Sequence, residues 1–268
     1  MTQKKIYDCI TFFDENLLTN LRFEILKDVV DYFIVCESKF DHKRREKDIN
    51  FSLINKDLKN KVKHLVINEP FPSNLNYWQI EEFQREKLLE AIKEVNPEDF
   101  IMYSDSDEIP NPDILKNINL KKKYGIFLQN FYVYNLDTFN HYETPWEGTR
   151  ICMKKNLKSI TYLRKKIKKS NLKKPFWKIH ISKDIECFNN GGWHFNNFYS
   201  PEKISIKLKT YQHIEFAPER FSAPDVINKK IKNLEDLFER GHKYRKVGIK
   251  EILPEYVLKN YRKVKEKI

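Results

Sequence analysis

An apolar segment that ends in a cluster of acids places the strongest constraint on this chain. Residues 100–103 predict a buried strand, and Asp105, Asp107 and Glu108 follow at once, before Pro110. Residues two apart on an extended chain point to the same side, so Asp105 and Asp107 can present both carboxylates to one point. The carboxyl end of such a strand lies at the edge where open α/β sheets bind their ligands.

Two carboxylates in this arrangement suit Mg²⁺ or Mn²⁺, which proteins often bind together with substrate phosphates. The segment therefore predicts a metal-assisted enzyme that acts on a nucleotide-linked substrate. Acids also follow strands for a purely structural reason, because they start turns and cap helices. A bare Asp-x-Asp leaves both interpretations open.

The composition is that of a folded, basic protein. Of the 268 residues, 40% are hydrophobic and 14% aromatic, which provides for a core and excludes a disordered chain. The formal charge of +12, from 50 basic and 38 acidic side chains, favours an anionic partner: a nucleotide sugar, a nucleic acid, an acidic glycan or a membrane surface. Lysines on solvated faces would explain the same charge without any partner.

The cysteines and the amino terminus indicate the compartment. Cys9, Cys36, Cys152 and Cys187 lie far apart without a C-x-x-C spacing, so neither a disulfide framework nor a zinc site is predicted. Residues 1–5 lead directly into a predicted strand, with no signal peptide and no membrane span anywhere in the chain. We therefore expect a cytoplasmic protein, soluble or bound peripherally to a membrane through its basic surface.

Strand and helix patterns alternate through the first half of the chain. Apolar runs predict four strands, and helical spacing of apolar residues predicts two helices between them. This β-α-β order is typical of a parallel sheet of Rossmann type. The predicted strands are 6–13, 32–36, 62–67 and 100–103, and the predicted helices are 16–30 and 77–95.

The second half is less regular. Asn111 is predicted to cap a helix that begins at Pro112. The other predictions are strands at 125–134 and 149–153, a basic helix or loop at 156–169, a turn at 189–192, a helix at 200–213, and mainly helical structure from 224 onward. Without an internal repeat or a linker, the chain is predicted to form one domain.

Gly191-Gly192-Trp193-His194 is the second candidate site. Two of the six glycines lie here, and paired glycines allow a close backbone approach or a positive φ. Trp193 offers a flat face on which a sugar can pack, and His194 can bind a metal or a phosphate. A tight turn with a packed tryptophan and a surface histidine explains the same residues.

Other candidates are individually weak. Glu37 closes the second strand, and Arg85 lies on the helix that precedes the acids, where it could reach a diphosphate. Glu147 and Glu215 could each serve as a general base. Each of these four side chains is equally compatible with a structural role on the surface.

Five of these segments together resemble glycosyltransferase family 17, which includes the β-1,4-mannosyl-glycoprotein 4-β-N-acetylglucosaminyltransferase and many microbial members. Each segment alone is unspecific, but five in the family's order over most of the chain are hard to explain by chance. They are Tyr-Phe-Ile-Val-Cys-Glu-Ser at 32–38, Gln-Arg at 84–85, Ser-Asp-Ser-Asp-Glu-Ile-Pro at 104–110, Gly-Gly-Trp-His at 191–194 and Ser-Pro-Glu at 200–202.

The resemblance implies a single GT-A domain, that is, a Rossmann-like α/β/α sandwich with a mainly parallel sheet and C-terminal helices. Residues 1–120 are expected to bind the nucleotide sugar, 121–222 the acceptor, and 223–268 to form the C-terminal helices. The implied reaction is an inverting transfer of N-acetylglucosamine or a related hexose from a UDP-sugar to a hydroxyl of a glycan or glycolipid. No nucleic acid partner is expected.

Of the site residues, only Asp105 and Asp107 are carried over from the family, as its Asp-x-Asp element, and the other roles are hypotheses drawn from the residues themselves. Glu147 and Glu215 are the candidates for the base. Mn²⁺ or Mg²⁺ is expected to bind Asp105, Asp107 and His194. The residues expected to contact the donor are Phe13, Glu37, Arg85, Asp105, Trp193 and His194.

Two rival functions fit part of the sequence. Clustered acids and a basic surface also suit a metal-dependent nuclease or nucleotidyltransferase, although such sites usually need carboxylates for two metals. Trp146 and Trp193 could instead belong to a carbohydrate-binding module, which would leave the strand-borne acids unexplained.

Overall fold

The amino-terminal half forms a parallel sheet. In the computed structural model, which describes residues 4–210, 216–249 and 253–267, four strands lie in the order β3-β2-β1-β4 with all neighbours parallel. As predicted from the β-α-β pattern, the carboxyl ends of these strands meet at one edge. The strands are β1 Ile6–Phe12, β2 Tyr32–Ser38, β3 Val62–Ile67 and β4 Phe100–Asp105.

Helices cover both faces of this sheet. Helix α1 (Asn16–Leu26) packs on the face that carries Ile10, and α2 (Tyr77–Ala91) packs on the face that carries Cys9. Successive strand residues point to opposite faces, so one apolar strand supplies both layers. The predicted α/β/α arrangement is confirmed.

The second half extends the sheet with antiparallel strands. β8 lies between β4 and β6 and is antiparallel to both, while β9 and β10 lie parallel to β6. The sheet as a whole is mixed rather than mainly parallel, because apolar periodicity predicts strands but carries no signal for their direction. These strands are β5 Glu108–Pro110, β6 Tyr124–Val133, β7 Thr138–Phe139, β8 Trp146–Met153, β9 Ile185–Phe188, β10 Gly192–Asn196 and β11 Arg245–Lys246.

Six further helices surround the sheet in the described part of the chain. The side chain of Asn111 caps the first of them, accepting a hydrogen bond from the N–H of Asp113 at 3.0 Å, as predicted. None of the helices in the described ranges is long and apolar enough to cross a bilayer. The helices are α3 Pro112–Lys116, α4 Ile160–Lys166, α5 Pro201–Thr210, α6 Glu219–Ser222, α7 Pro224–Lys232 and α8 Glu255–Lys265.

Several predicted boundaries move. The strand predicted at 149–153 begins three residues earlier, at Trp146. Helix α1 ends at Leu26 rather than at 30, because the chain turns there toward β2. Helix α5, predicted to run through 213, is observed to Thr210, and the next five positions lie outside the described residues.

A buried ion pair joins α1 to β1, and its arginine also reaches the end of β4. Arg22 and Asp8 are 0% and 1% exposed, and the guanidinium donates to both Asp8 oxygens at 2.5 and 2.6 Å. Arg22 also donates to the hydroxyl of Ser104 at 2.9 Å and to the backbone carbonyl of Glu108. One side chain therefore ties α1, β1, β4 and the start of β5 together.

We expect Arg22→Met to destabilise the protein by about 3–5 kcal/mol, because it leaves the Asp8 carboxylate buried without its partner. Urea unfolding measures this loss. Lys155→Met is the control, since it breaks an exposed pair with Glu98 and should leave the midpoint nearly unchanged. Similar midpoints for the two variants would contradict the role given to Arg22.

Candidate active site

A cleft lies at the carboxyl edge of the parallel strands. Its volume is about 420 Å³, and it is bordered by the ends of β1, β2 and β4 and by residues of β6, β8, β10 and α5. Asp105 and Asp107 both line it, although Ser106 and Asp107 form a turn rather than an extended chain. The acids and His194 thus lie at the sheet edge where the sequence predicted a ligand site.

Asp107 and His194 form a close pair in the cleft. Oδ1 of Asp107 lies 3.4 Å from Nε2 of His194, and both side chains are largely buried. Burial alone would raise the pKa of Asp107, but His194, Lys207 and Arg164 lower this pKa to about 2. Asp107 is therefore a carboxylate at neutral pH.

Aromatic rings fix the orientation of His194. Its ring lies 4.1 Å from that of Phe131 and 4.8 Å from that of Trp146, measured between centroids. Nδ1 is buried and has no hydrogen-bond partner among the described residues. The imidazole is held by packing, with Nε2 directed at Asp107.

The pair suits a divalent metal ion. Two ligands bound at right angles to one octahedral ion, each at about 2.1 Å, lie about 3.0 Å apart, close to the 3.4 Å observed. Carboxylate oxygens suit Mg²⁺ and Mn²⁺, and an imidazole nitrogen is a common ligand of transition-metal ions. Within the described ranges, no three His, Cys, Asp or Glu side chains converge on one point. The chain would supply two ligands and leave the other positions to substrate oxygens and water.

The other two acids of the cluster are engaged by Arg164. This arginine of α4 pairs with Asp105 and, at 2.8 Å, with Oε1 of Glu108. Glu108 is fully buried and also accepts from Nε1 of Trp146 at 2.7 Å, so it has a structural role. Asp105 remains 37% exposed and keeps a place in the cleft.

The profile of glycosyltransferase family 17 matches residues 1–252. The chain belongs to glycosyltransferase family 17. It is therefore a glycosyltransferase, as its ordered motifs predicted, and its fold is the expected α/β class. No curated protein sequence matches it significantly.

Solved structures resemble the transferase only distantly. They include a glycosyltransferase involved in glycosylation of the major capsid of PBCV-1 (12% identity over 69% of this chain and 81% of that chain, TM-score 0.33). The inositol-1-phosphate CTP transferase from T. maritima has 11% identity over 100% and 99%, with a TM-score of 0.37. Glucosyl-3-phosphoglycerate synthase from Mycobacterium tuberculosis, solved with Mn²⁺, UDP-glucose and phosphoglyceric acid, has 12% identity over 71% of each chain and a TM-score of 0.38.

The glycine pair of the transferase serves backbone packing. A Cβ on Gly191 would lie 2.6 Å from the backbone nitrogen of Leu128, and one on Gly192 would lie 2.2 Å from the carbonyl oxygen of Ile109. Gly192 also has a φ of +121°, which other residues rarely adopt. Strand β10 therefore fits between β5 and β6 only with glycine here, and this fit sets the position of His194.

Trp193 faces away from the cleft. It is 4% exposed in the core and contacts Tyr256 of α8 edge-on, with ring centroids 6.2 Å apart. Adjacent strand residues point to opposite faces, so Trp193 and His194 cannot both face the ligand. The prediction that Trp193 contacts the donor is wrong, and the tryptophan in the cleft is Trp146.

Glu37 lies behind the cleft. Its carboxylate is fully buried and accepts from Nζ of Lys47 at 2.8 Å, from the N–H groups of Asn50 and Phe51 at 2.7 and 3.1 Å, and pairs with His64 at 3.1 Å. Burial would raise its pKa, but the hydrogen bonds from His64 and Lys47 lower it. These partners give Glu37 the role of holding the 47–51 segment rather than a donor contact.

Arg85 is also separated from the cleft. It is 2% exposed, pairs with Glu81 at 2.8 Å and donates to the hydroxyl of Tyr103 at 3.0 Å. That hydroxyl donates to Oδ1 of Asp105 at 3.2 Å. Arg85 therefore acts on Asp105 through Tyr103, and the predicted direct contact with the diphosphate is not supported by its position.

Of the three remaining predicted site residues, one lines the cleft, one does not, and one lies outside the described residues. Phe13 lines the cleft, and Nζ of Lys47 lies 5.2 Å from its ring centroid. Glu147 follows Trp146 on β8 and does not line the cleft, and its carboxylate accepts from the N–H of Lys169 at 3.0 Å. Glu215 lies outside the described residues.

Sequence reasoning missed several cleft residues. Glu143 accepts hydrogen bonds from Arg240 at 3.2 and 3.3 Å and from Nδ2 of Asn140 at 2.8 Å, and both Glu143 and Arg240 line the cleft with Lys207. Glu143 lies in the loop between β7 and β8, Lys207 on α5, and Arg240 in the loop before β11. No local sequence pattern distinguishes these three residues from ordinary surface charges.

We expect Gly192→Ala to destabilise the transferase by about 1–3 kcal/mol more than Gly241→Ala. Both positions have positive φ, but a Cβ at Gly241 meets nothing within 4 Å, whereas one at Gly192 overlaps backbone atoms that cannot rotate away. Urea unfolding of the two variants measures the difference. Equal losses would mean that φ alone, and not the close approach of β5, requires glycine.

Proposed function

We propose that the protein transfers a sugar, N-acetylglucosamine or a related hexose, from a UDP-sugar to a hydroxyl of a glycan or glycolipid, with inversion and with a divalent metal ion. The observation that carries the proposal is the pair of Asp107 and His194, 3.4 Å apart in a cleft at the carboxyl edge of the sheet. In a member of glycosyltransferase family 17, such a pair suits a donor diphosphate held through a metal.

Asp107 and His194 would hold Mn²⁺ or Mg²⁺, with Asp105 beside them as a further contact. When bound, the ion would act as a Lewis acid and neutralise charge on the departing diphosphate. Because the pKa of Asp107 is about 2, this ligand needs no deprotonation at neutral pH. Arg164 occupies one side of Asp105, so we assign Asp105 a supporting role.

The ends of β1 and β2 are suited to the nucleotide. Phe13 supplies an aromatic face and Ser38 a hydroxyl, and both line the cleft together with Lys47, whose ammonium group pairs with Glu37. Lys207 also lines the cleft, and its charge lowers the pKa of Asp107, so it can counter the charge of a diphosphate in the same way.

The opposite side of the cleft is suited to the acceptor. Trp146 offers an aromatic surface there, held by its hydrogen bond to Glu108. Glu143 lines the same side, with Arg240 and Asn140 orienting its carboxylate. We assign Glu143 as the general base in place of Glu147, because Glu143 reaches the cleft.

The reaction then balances as a single displacement. Glu143 accepts the proton of the acceptor hydroxyl, the hydroxyl oxygen forms a bond to the anomeric carbon, and the bond from that carbon to the diphosphate oxygen breaks. The electron pair leaves with UDP. Attack from the side opposite the leaving group inverts the configuration, through a transition state with oxocarbenium character.

Donor binding is the first test of this function. UDP or a UDP-sugar with Mn²⁺ should raise the melting temperature by several degrees, since a ligand at a hundred times its dissociation constant adds ~2.7 kcal/mol. EDTA should remove the shift, and so should Asp107→Asn. Asp113→Asn, which changes an exposed acid on α3, is the matched control and should keep it.

GDP, CMP and their sugar conjugates belong in the same thermal-shift panel. A metal-dependent shift with one of these nucleotides alone would mean that the donor carries that nucleotide instead of UDP, and the proposed mechanism would stand. A folded protein that shifts with no nucleotide would refute the proposed function.

The role of Glu143 as the base is the second test of this function. With the donor identified, Glu143→Gln should slow release of the nucleoside diphosphate roughly 10²–10⁴-fold while donor binding is retained. Glu147→Gln is the matched control, because its carboxylate lies outside the cleft, and it should keep the wild-type rate. The reverse pattern would assign the base to Glu147.

A further inference from the structure

A strongly basic segment with an apolar tip begins in the last turn of helix α4. Residues 165–183, the basic segment, contain eight lysines and no acid, in a chain whose net charge is +12. At the tip, Phe176, Trp177 and Ile179 are 84%, 66% and 91% exposed. Single exposed apolar residues are ordinary, but three large ones within four positions indicate a surface that a partner covers.

The segment is an ordered element. The side chain of Asn171 is buried and donates to the carbonyls of Lys166 at 2.7 Å and Ser182 at 3.1 Å, which joins the two ends of the segment. Nζ of Lys183 donates to the carbonyl of Pro175 at 2.7 Å. Polar contacts at its base thus hold the tip away from the core.

Most of the lysines are available to an anionic partner. Lys165 pairs with Glu82 at 2.6 Å. Among the described residues, no ion pair is made by the exposed side chains of Lys168, Lys173, Lys174 and Lys178, which flank the tip on both sides. A partner of this segment must therefore combine negative charge with an apolar phase.

We propose that the basic segment docks the enzyme on an anionic lipid bilayer. Trp177 and Phe176 suit the boundary between headgroups and acyl chains, where aromatic side chains concentrate. Lysines around them would contact the headgroup phosphates, with their stems along the apolar surface. Nucleic acid would also attract the lysines and could stack on the two rings, but Ile179 has no ring to stack and a bilayer takes all three.

The site and the segment share one helix. Arg164, which holds Asp105 and Glu108, is followed directly by Lys165 at the start of the basic segment. Bilayer docking would therefore be connected to the active site through α4. It goes beyond the proposed transfer reaction and needs neither donor nor metal.

Co-sedimentation with vesicles tests the proposal. Phosphatidylcholine vesicles that contain phosphatidylglycerol should bind the protein without nucleotide or metal, pure phosphatidylcholine vesicles should bind it far less, and added salt should release it. Lys173→Gln with Lys174→Gln should weaken binding roughly 25-fold, since each lysine near an anionic surface contributes about fivefold. Phe176→Ser with Trp177→Ser should weaken it about tenfold or more.

Matched controls lie elsewhere on the surface. Lys229→Gln with Lys232→Gln removes the same charge from exposed positions on α7, and Ile206→Ser removes an apolar side chain that is 57% exposed. Both should bind vesicles like the wild type. Circular dichroism melts would show that each variant is folded.

Three outcomes would overturn the proposal. The first is equal binding to both kinds of vesicle, or none to either. The second is that the segment variants lose binding to a labelled RNA oligonucleotide but keep vesicle binding. The third is that Phe176→Ser with Trp177→Ser leaves vesicle binding unchanged but converts a dimer into a monomer in sedimentation velocity. A second copy of the chain would then be the partner of the tip.

Discussion

Arg22 lies in the interior with no exposed surface, and it is the point to which the acidic end of β4 is tied. It donates to both oxygens of Asp8, to Ser104 and to the carbonyl of Glu108, on either side of the turn that carries Asp107. Removing two charges from water costs free energy that only close pairing offsets, so the geometry around Arg22 has little freedom. The turn that carries Asp107 is held on both sides by these bonds. Side chains that bind a ligand need to be held in place in this way before the ligand arrives.

A second arginine separates the acids by role. Arg164 approaches Asp105 and Glu108 from α4, so neither is an isolated negative charge. Asp107 instead faces His194, whose ring is held between Phe131 and Trp146. Three acids that are nearly adjacent in sequence therefore differ in environment: Glu108 is fully buried, Asp105 pairs with Arg164 at the cleft, and Asp107 faces His194. Their spacing alone could not distinguish them.

The sequence predicted what depends on local pattern. The alternation of strand and helix patterns predicted the Rossmann-like half of the fold, and the acids at the end of β4 predicted the position of the cleft. The rule that placed Asp105 and Asp107 together also implies that Trp193 and His194 diverge, so that error was avoidable from strand periodicity. Arg164, Glu143 and Arg240 were not predictable, because they reach the site from distant elements through contacts that no local spacing records. The partners of Glu37 are equally non-local.

The excess of basic side chains is concentrated in one part of the chain. The net charge alone left open whether the lysines serve an anionic partner or are spread over solvated faces. Eight of them lie in residues 165–183 without an acid, around an apolar tip. The cleft has its own few cations, and Lys207 and Arg240 lie there beside acids. These basic side chains thus lie on two separate surfaces, the cleft and the basic segment. Helix α4 joins them, because its Arg164 pairs with Asp105 at the cleft and its last residues begin the basic segment.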